Sequence, residues 1–169
     1  ISKARILCVG AGGLGSPVIQ YRAAAGIGHL TIIDDDRVEI SNLQRQVIHG
    51  KSEIGILKAE SAKRFVYKLD PSISVDAITE RLDKSNAENL FRGHDIIIDG
   101  TDNIPTRYLI DETCKILGLP WIYGSVYRFE GQVSVFNYKG GPCYSDLFPE
   151  APPPELVPSC SEAGVLGVL

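Results

Sequence analysis

The segment Arg5-Ile-Leu-Cys-Val9, followed directly by Gly10-Ala-Gly-Gly-Leu-Gly15, decides the fold of this chain. Residues 6–9 form a short apolar run, which is typical of a buried parallel strand. Residues 16–25 are rich in Ala and long side chains, and they predict a helix that ends at Gly26. The segment therefore predicts a strand, a glycine turn and a helix in succession.

The glycines of this turn also indicate a ligand. Gly10, Gly12 and Gly15 have G-x-G-x-x-G spacing, which lets a phosphate approach the amides at a helix N-terminus, where partial positive charge lies. Asp34 follows the next apolar run, residues 30–33, and is suited to accept hydrogen bonds from ribose hydroxyls. These features predict a nucleotide site, against the alternative of a glycine-rich turn without a ligand. They leave the identity of the nucleotide open.

Composition limits the class of protein. The chain has 169 residues, of which 44% are hydrophobic, and we expect a single domain, residues 1–169, with a substantial core. The net charge of -4, without a long basic run, argues against a nucleic-acid partner. No apolar segment is long enough to span a membrane and no leader opens the chain, so we expect no membrane partner and a cytoplasmic location.

Both ends of the chain suggest a longer protein. The chain begins almost directly on its first core strand, and the apolar residues 163–169 carry no terminating signal. We therefore expect a domain that is truncated at both ends.

The four cysteines are widely separated, and two of them, Cys8 and Cys114, fall in predicted buried elements. We therefore interpret all four as reduced thiols rather than as a disulfide framework.

Strand and helix patterns alternate along the chain, which favours an α/β fold. The remaining predicted elements are a helix over 51–69 with Ser52 as its N-cap, a strand over 74–78, a helix over 86–91, a strand over 95–99, a helix over 106–117, and strands over 121–123 and 131–138. Residues 140–160 are rich in Pro and Gly and predict an irregular, mobile crossing segment. The expected architecture is Rossmann-like, with a mostly parallel sheet, helices on both faces, and this irregular crossing segment after it.

Several polar residues follow predicted strands, and ligands of open α/β sheets bind outside the carboxyl ends of the strands. The glycine turn, Asp34 and Asp102 should therefore converge on one crevice. Asp102 is placed to hold Mg²⁺, with Asp34 or Asp36 assisting, because this ion binds through one or two carboxylates plus substrate phosphates. The alternative role of Asp102 is the N-cap of the helix that follows it.

Two cations and one thiol add chemistry to this crevice. Arg45 and Lys58 would stabilise the charge of a triphosphate being cleaved, and the alternative is ordinary solvated charge. Cys160 lies in the irregular segment, where an exposed thiolate would be nucleophilic, and the alternative is a small side chain packed under a loop.

Taken together, these residues resemble the MoeB/ThiF family of E1-like adenylyltransferases, and within it the molybdopterin-synthase adenylyltransferases most. The resemblance covers essentially the whole chain. Its motifs are Gly-Ala-Gly-Gly-Leu-Gly at 10–15, Asp-Asp-Asp at 34–36, Ser-Asn-Leu-Gln-Arg-Gln at 41–46, Lys58, Asp-Gly-Thr-Asp-Asn at 99–103 and Glu-Gly-Gln at 130–132.

The resemblance implies a reaction and a set of residue roles. A ubiquitin-like sulfur-carrier protein ending in Gly-Gly would attack the α-phosphate of ATP through its terminal carboxylate, leaving an acyl-adenylate and pyrophosphate. Gly13 would contact the nucleotide, Asp34 the ribose, and Asp102 would organise Mg²⁺. The implied nucleotide-binding residues are Gly10, Gly12, Gly13, Asp34, Ser41, Asn42, Leu43, Gln44, Arg45, Lys58, Asp102 and Asn103, and the implied catalytic residues are Arg45, Lys58, Asp102 and Cys160.

The chain departs from the family pattern at its cysteines. The family carries Cys-x-x-Cys as half of a zinc site, whereas this chain reads Cys143-Tyr-Ser-Asp146 and has no second pair. We therefore expect no complete zinc site. The resemblance also implies a homodimer for the full-length protein, although the N-terminal arginine segment that the family uses between subunits is absent here.

Other functions remain open at this point. The glycine turn and Asp34 alone would fit an NAD-dependent oxidoreductase, which leaves Arg45 and Lys58 unexplained. A non-catalytic E1-like binding module and a tRNA-modifying dehydratase of the same family are further alternatives. The three histidines, His29, His49 and His94, are interpreted as structural residues at element ends, and the pathway of the carrier is not specified.

Overall fold

The computed structural model describes residues 1–127 and 129–152, which form one six-stranded sheet with helices on both faces. The spatial order of the strands is β3-β2-β1-β4-β5-β6, in which the first five are parallel and β6 runs antiparallel to β5. The strands are β1 (Arg5–Val9), β2 (His29–Ile33), β3 (Ser74–Ile78), β4 (Ile96–Asp99), β5 (Trp121–Tyr127) and β6 (Glu130–Phe136). The expected Rossmann-like architecture is confirmed.

Five helices accompany the strands. They are α1 (Gly15–Ala24), α2 (Lys58–Leu69), α3 (Ala87–Phe91), α4 (Ile104–Leu117) and α5 (Tyr144–Leu147), with short 3₁₀ turns at Ile40–Asn42 and Lys51–Glu53. In the described residues no helix has the length and apolar character that crossing a membrane requires.

Alternation along β1 explains why helices cover both faces of the sheet. Ile6 and Cys8 point to a core that α1 and α2 complete, whereas Leu7 and Val9 point to a second core beneath α3, α4 and α5. All four side chains are buried, as expected for a central strand of a parallel sheet.

The strand order reverses between β1 and β4, which lie side by side in the centre of the sheet. The chain leaves β1 toward β2 on one side and leaves β4 toward β5 on the other. The loops after these two strands therefore separate and open a crevice at their carboxyl ends, which is the usual ligand position in such sheets.

The prediction of one helix over 51–69 is wrong in its first part. Gly55 has a φ of +86°, and its N–H donates to the carbonyl oxygen of Val38. Leu57 is extended at the start of α2, and a bridge between Arg37 and Leu57 holds the segment as a turn. Ser52 therefore lies in the preceding 3₁₀ turn and caps no long helix.

Other boundaries also differ from the predictions, and β6 ends at Phe136, two residues before the predicted end. β5 continues to Tyr127, four residues beyond the predicted end, because it pairs with β6 along its whole length. α4 begins at Ile104, two residues early. The segment predicted as irregular contains the short helix α5, and its residues from 153 onward, including Cys160, lie outside the described residues.

The described cysteines agree with the predicted reduced state. Cys8, Cys114 and Cys143 are free and buried. Burial, together with the nearby carboxylates of Asp99 and Asp34, raises the pKa of Cys8 to about 12, so its thiol stays neutral.

Candidate active site

The glycine turn after β1 crosses the loop after β4 at very short range. A Cβ atom on Gly10, whose φ is +95°, would lie 2.7 Å from the carbonyl oxygen of Gly100. A Cβ on Gly15 would overlap the carbonyl oxygen of Gly10. Main-chain packing alone therefore requires glycine at these positions.

Gly12 and Gly13 lie in the middle of the same turn and have different surroundings. A Cβ on Gly12 would meet only the side-chain nitrogen of Gln46, at 3.7 Å, and a Cβ on Gly13 would meet only the side chain of Arg45, at 3.3 Å. Neither φ is positive. No packing contact requires glycine here, and both residues line a cleft.

The cleft has a volume of about 910 Å³, within the range of small-molecule sites. It brings together most of the residues predicted from the sequence and leaves Ser41, Leu43 and Gln44 outside its lining. The predicted residues that line it are Gly10, Gly12, Gly13, Asp34, Asn42, Arg45, Lys58, Asp102 and Asn103.

Asp34 ties the end of β2 to the glycine turn. One carboxylate oxygen accepts a hydrogen bond from the Ala11 N–H at 2.7 Å, and the other accepts from the Asp36 N–H at 2.9 Å. Burial raises the pKa of Asp34, and these two backbone bonds act in the opposite direction. Each oxygen retains a lone pair, so the predicted ribose contact is compatible with this bracing role.

The two predicted cations, Lys58 and Arg45, both line the cleft. Lys58, the first residue of α2, has a side chain that is only 7% exposed, and its Nζ lies 2.9 Å from an Asp36 carboxylate oxygen. Arg45 donates from Nη2 to the side-chain oxygen of Asn42 at 3.1 Å and lies against Gly13. For Lys58, the alternative of ordinary solvated charge is wrong, since the side chain is buried at the cleft.

Asp102 and Asn103 divide two roles between neighbouring positions. The side-chain oxygen of Asn103 accepts from the Thr106 N–H at 3.0 Å, so Asn103 is the N-cap of α4 and the alternative cap role of Asp102 is wrong. Asp102 is exposed at the cleft, and its side chain makes no hydrogen bond within residues 1–127 and 129–152. Its carboxylate is open to a ligand.

Mg²⁺ at this position would need few protein ligands. Within the described part of the chain, no cluster of three or more His, Cys, Asp or Glu side chains could hold a metal ion. One free carboxylate beside a phosphate site is the usual protein contribution to bound Mg²⁺. Asp102 therefore fits this ion.

Asp99 and Arg107 are two buried residues next to the segment that carries Asp102, and the sequence predicted no individual role for either of them. Asp99 ends β4, and one of its carboxylate oxygens lies 3.4 Å from Nε of Arg107 on α4. The pKa of Asp99 is raised to about 6 because the effect of burial outweighs the opposing effects of Arg107 and of two hydrogen bonds from Thr101. An acid that directly ends an apolar strand is the one local signal that could have indicated Asp99.

His49 supports the glycine turn from the other side. Its Nε2 lies 2.9 Å from the carbonyl oxygen of Ala11, and its Nδ1 lies 2.7 Å from the hydroxyl of Ser61. Burial lowers the pKa of His49, with smaller opposing effects from the Ala11 hydrogen bond and Glu53. These contacts agree with the interpretation of His49 as a structural residue.

Comparison with known protein families gives a match over the whole chain: the ThiF family model matches residues 1–169. The chain belongs to the ThiF family. The glycine turn, the two cations and Asp102 of this ThiF-family chain all line one cleft.

Relatives of the ThiF-family chain carry related names. It is 52% identical over 167 residues to the SAMP-activating enzyme E1 of Haloferax volcanii, covering 99% of this chain and 62% of the relative. It is 53% identical over 163 residues to the adenylyltransferase and sulfurtransferase UBA4 of Yarrowia lipolytica, covering 96% and 41%. The sulfur carrier protein adenylyltransferase of Thermus thermophilus is 46% identical over 174 residues, with coverage of 100% and 64%. The chain spans less than two thirds of the length of each relative.

Solved structures agree with the fold. The E. coli MccB structure with ATP superimposes with a TM-score of 0.79 at 25% identity, covering 85% of this chain and 43% of that one. The E. coli TcdA structure in complex with AMP gives a TM-score of 0.71 at 28% identity, covering 76% and 54%. The first of these structures is a complex with ATP and the second a complex with AMP.

The position where the ThiF-family chain departs from Cys-x-x-Cys has a structural use. The Asp146 carboxylate accepts a hydrogen bond from the Cys143 N–H at 2.8 Å and thereby caps α5. Asp146 therefore stabilises the N-terminus of α5, and the Cys143 side chain is buried.

Proposed function

We propose that this chain uses ATP to adenylate the C-terminal glycine of a ubiquitin-like sulfur-carrier protein. The observation that carries the proposal is the cleft in which Gly12 and Gly13 leave the turn open while Lys58 and Arg45 lie beside it. An open backbone turn at a helix N-terminus suits phosphates, and two adjacent cations suit a polyphosphate.

The reaction needs positioning more than proton transfer. A carboxylate oxygen of the carrier attacks the α-phosphorus of ATP, the bond to the bridging oxygen breaks, and pyrophosphate leaves with the electron pair. The carboxylate is already ionised at neutral pH, so no general base is required. Lys58 and Arg45 stabilise the charge that develops on the leaving phosphates.

The other cleft residues take complementary roles. Asp34 binds the ribose, Asn42 assists the phosphate contacts of Arg45, and the amides of Gly12 and Gly13 approach the nucleotide. Asp102 would hold Mg²⁺, which when bound offsets the charge of the phosphates.

The names of the relatives support this reading over the oxidoreductase alternative. Those named above are activating enzymes or adenylyltransferases, and the two solved structures hold ATP or AMP. The NAD-dependent alternative receives no support from them. Thermal shifts provide an independent check: ATP with Mg²⁺ should raise the melting temperature and NADH should not, because only a ligand of the folded state stabilises it.

Four further features of the full-length protein are part of the proposal and rest on sequence and resemblance alone. They are homodimerisation, a cytoplasmic location, a role for Cys160 as acyl acceptor or in sulfur transfer, and a sulfur-carrier pathway such as molybdopterin synthesis.

The direct test is ATP–pyrophosphate exchange with a carrier that ends in Gly-Gly. We expect exchange that requires the carrier and disappears when its last glycine is removed. Lys58→Met should abolish exchange, whereas the matched control Lys63→Met should not, because Lys63 is exposed on the same helix outside the cleft. ATP binding without exchange would favour the non-catalytic binding module instead.

A further inference from the structure

Thr101, the residue immediately before Asp102, is held at all of its polar groups. Its N–H and hydroxyl donate to one carboxylate oxygen of Asp99 at 2.8 and 2.6 Å. Its carbonyl oxygen accepts from Nη2 of Arg107 at 3.1 Å. The backbone that presents Asp102 to the cleft is therefore anchored by two buried side chains of opposite charge.

Arg107 connects this anchor to a neighbouring strand. The same Nη2 lies 3.4 Å from the carbonyl oxygen of Gly124 in β5, and the guanidinium carbon lies 5.1 Å from the centre of the Tyr123 ring. Gly124 directly precedes residues of β5 that line the cleft. Arg107 thus bridges the strand on one side of the cleft and the loop that carries Asp102.

The contacts of Arg107 differ from those of an ordinary buried ion pair. An arginine that only neutralises a carboxylate commonly forms two parallel hydrogen bonds with it. Here the contact with Asp99 is made through Nε alone at 3.4 Å, and Nη2 is directed to two backbone carbonyls. The guanidinium is therefore placed to fix backbone around the cleft, in addition to balancing charge.

We propose that Arg107 is a positioning residue for the adenylation reaction, acting through Thr101 to fix the place of Asp102 relative to the phosphates. The inference rests on the proposed function. Misplacement of a charge-stabilising group by about 1 Å can lower a rate by about 100-fold, so a loosened Thr101 should reduce catalysis strongly. ATP itself contacts other parts of the cleft and should bind almost unchanged when Mg²⁺ is absent.

The test is Arg107→Lys, which keeps a positive charge beside Asp99 but lacks the planar guanidinium whose Nη2 reaches both carbonyls while its Nε faces Asp99. We expect the kcat of carrier-dependent exchange to fall at least tenfold. The dissociation constant for ATP should stay within about threefold in EDTA and rise at least fivefold with Mg²⁺. Arg92→Lys is the matched control, because Arg92 is an exposed partner of Glu88 and lies outside the cleft.

A double-mutant cycle separates positioning from general damage. If Arg107 acts through Asp102, Arg107→Lys should not weaken Mg²⁺-dependent ATP binding further in an Asp102→Asn background. Equal losses in both backgrounds, equal losses with and without Mg²⁺, or unchanged kcat would overturn the inference. Absence of exchange in the unmodified chain with the correct carrier would instead overturn the proposed function, and the inference with it.

A second variant keeps the inference falsifiable if Arg107→Lys does not fold. Thr101→Val removes the hydroxyl bond to Asp99 and retains every charge. It should show the same selective loss of kcat and of Mg²⁺-dependent ATP binding, but of smaller magnitude. A cooperative melting transition would show that this variant is folded. Wild-type kinetics in this folded variant would overturn the inference.

Discussion

Two turns meet at the centre of this molecule, and each contains one residue held by the chain beside one left open to the cleft. In the turn after β1, Gly15 lies against the main chain of Gly10, whereas Gly12 has only a side chain near it. In the turn after β4, Asn103 caps α4, whereas Asp102 extends into the cleft. Nearby residues of the same motif therefore differ in whether the surrounding chain holds them or leaves them open at the cleft.

This division makes the motif experimentally separable. A substitution at a held residue should lower the free energy of unfolding, and a substitution at an open residue should lower ligand affinity with little change in stability. A substitution that lowers both the free energy of unfolding and the ligand affinity would show that its residue contributes to stability and to binding.

Gly15→Ala should have the largest effect on stability. The added methyl group would overlap the carbonyl oxygen of Gly10, and the backbone on both sides is tied to β1, β2 and β4. Overpacking of this kind destabilises by about 3 kcal/mol or more. Urea unfolding measures the loss, and a variant as stable as the unmodified protein would contradict the close approach of these two residues.

Local sequence was sufficient to predict the central strands and their turns. β1 and β4 are short apolar runs with clear ends, and the spacing of Gly10, Gly12 and Gly15 identified the turn. The same spacing says nothing about which of these glycines is in contact with the chain. For Gly10 that distinction arises from a tertiary contact with the loop after β4, and for Gly15 it arises from the path that the turn takes past Gly10.

The errors have a similar origin. The helix predicted over 51–69 is interrupted because Gly55 and Leu57 pair with the loop after β2, a partner that no local pattern reveals. The partnership of Asp99 with Arg107 joins a strand to a helix eight residues later and depends on how α4 lies over the sheet. Residues such as Lys58 and Asp102 were predictable because the family motif marks them.

Asp99→Asn should remove a large pH dependence of stability. The folded chain binds this proton with a pKa of about 6, and the unfolded chain with a value near 3.8. Between these values the folded state holds more protons, so the contribution of Asp99 is greatest at low pH and is lost as pH rises through about 6. A shift of this size corresponds to on the order of 3 kcal/mol at most.

The measurement is the difference in unfolding free energy between the two proteins from pH 4 to pH 7. Other carboxyl groups titrate in both proteins and cancel in this difference. The neighbouring Cys8 thiol stays neutral throughout, since burial raises its pKa to about 12. Parallel stability curves would show that Asp99 is ionised over the whole range.

Asn103→Ala and Asp102→Ala compare adjacent residues directly. Loss of the cap should reduce stability by about 1 kcal/mol, because the Thr106 N–H loses its partner. Asp102→Ala should leave the melting temperature within about 1 °C and abolish pyrophosphate exchange, since its exposed carboxylate makes no hydrogen bond within the described residues. Equal destabilisation by the two substitutions would remove the distinction between the residues.

Gly12→Ala should have the smallest effect on stability and a clear effect on ligand binding. Its φ is not positive and a methyl group would meet only the Gln46 side chain, so the unfolding free energy should be unchanged or raised by less than about 1 kcal/mol. The methyl group would occupy the approach of a phosphate to the turn, and ATP affinity should fall at least tenfold, or about 1.4 kcal/mol. Gly50→Ala is the control, because a Cβ there would also meet only side-chain atoms, the nearest at 3.8 Å, and would lie outside the cleft. Unchanged ATP binding in a stable Gly12→Ala protein would mean that the phosphates lie elsewhere in the cleft, because no contact among residues 1–127 and 129–152 explains glycine at this position.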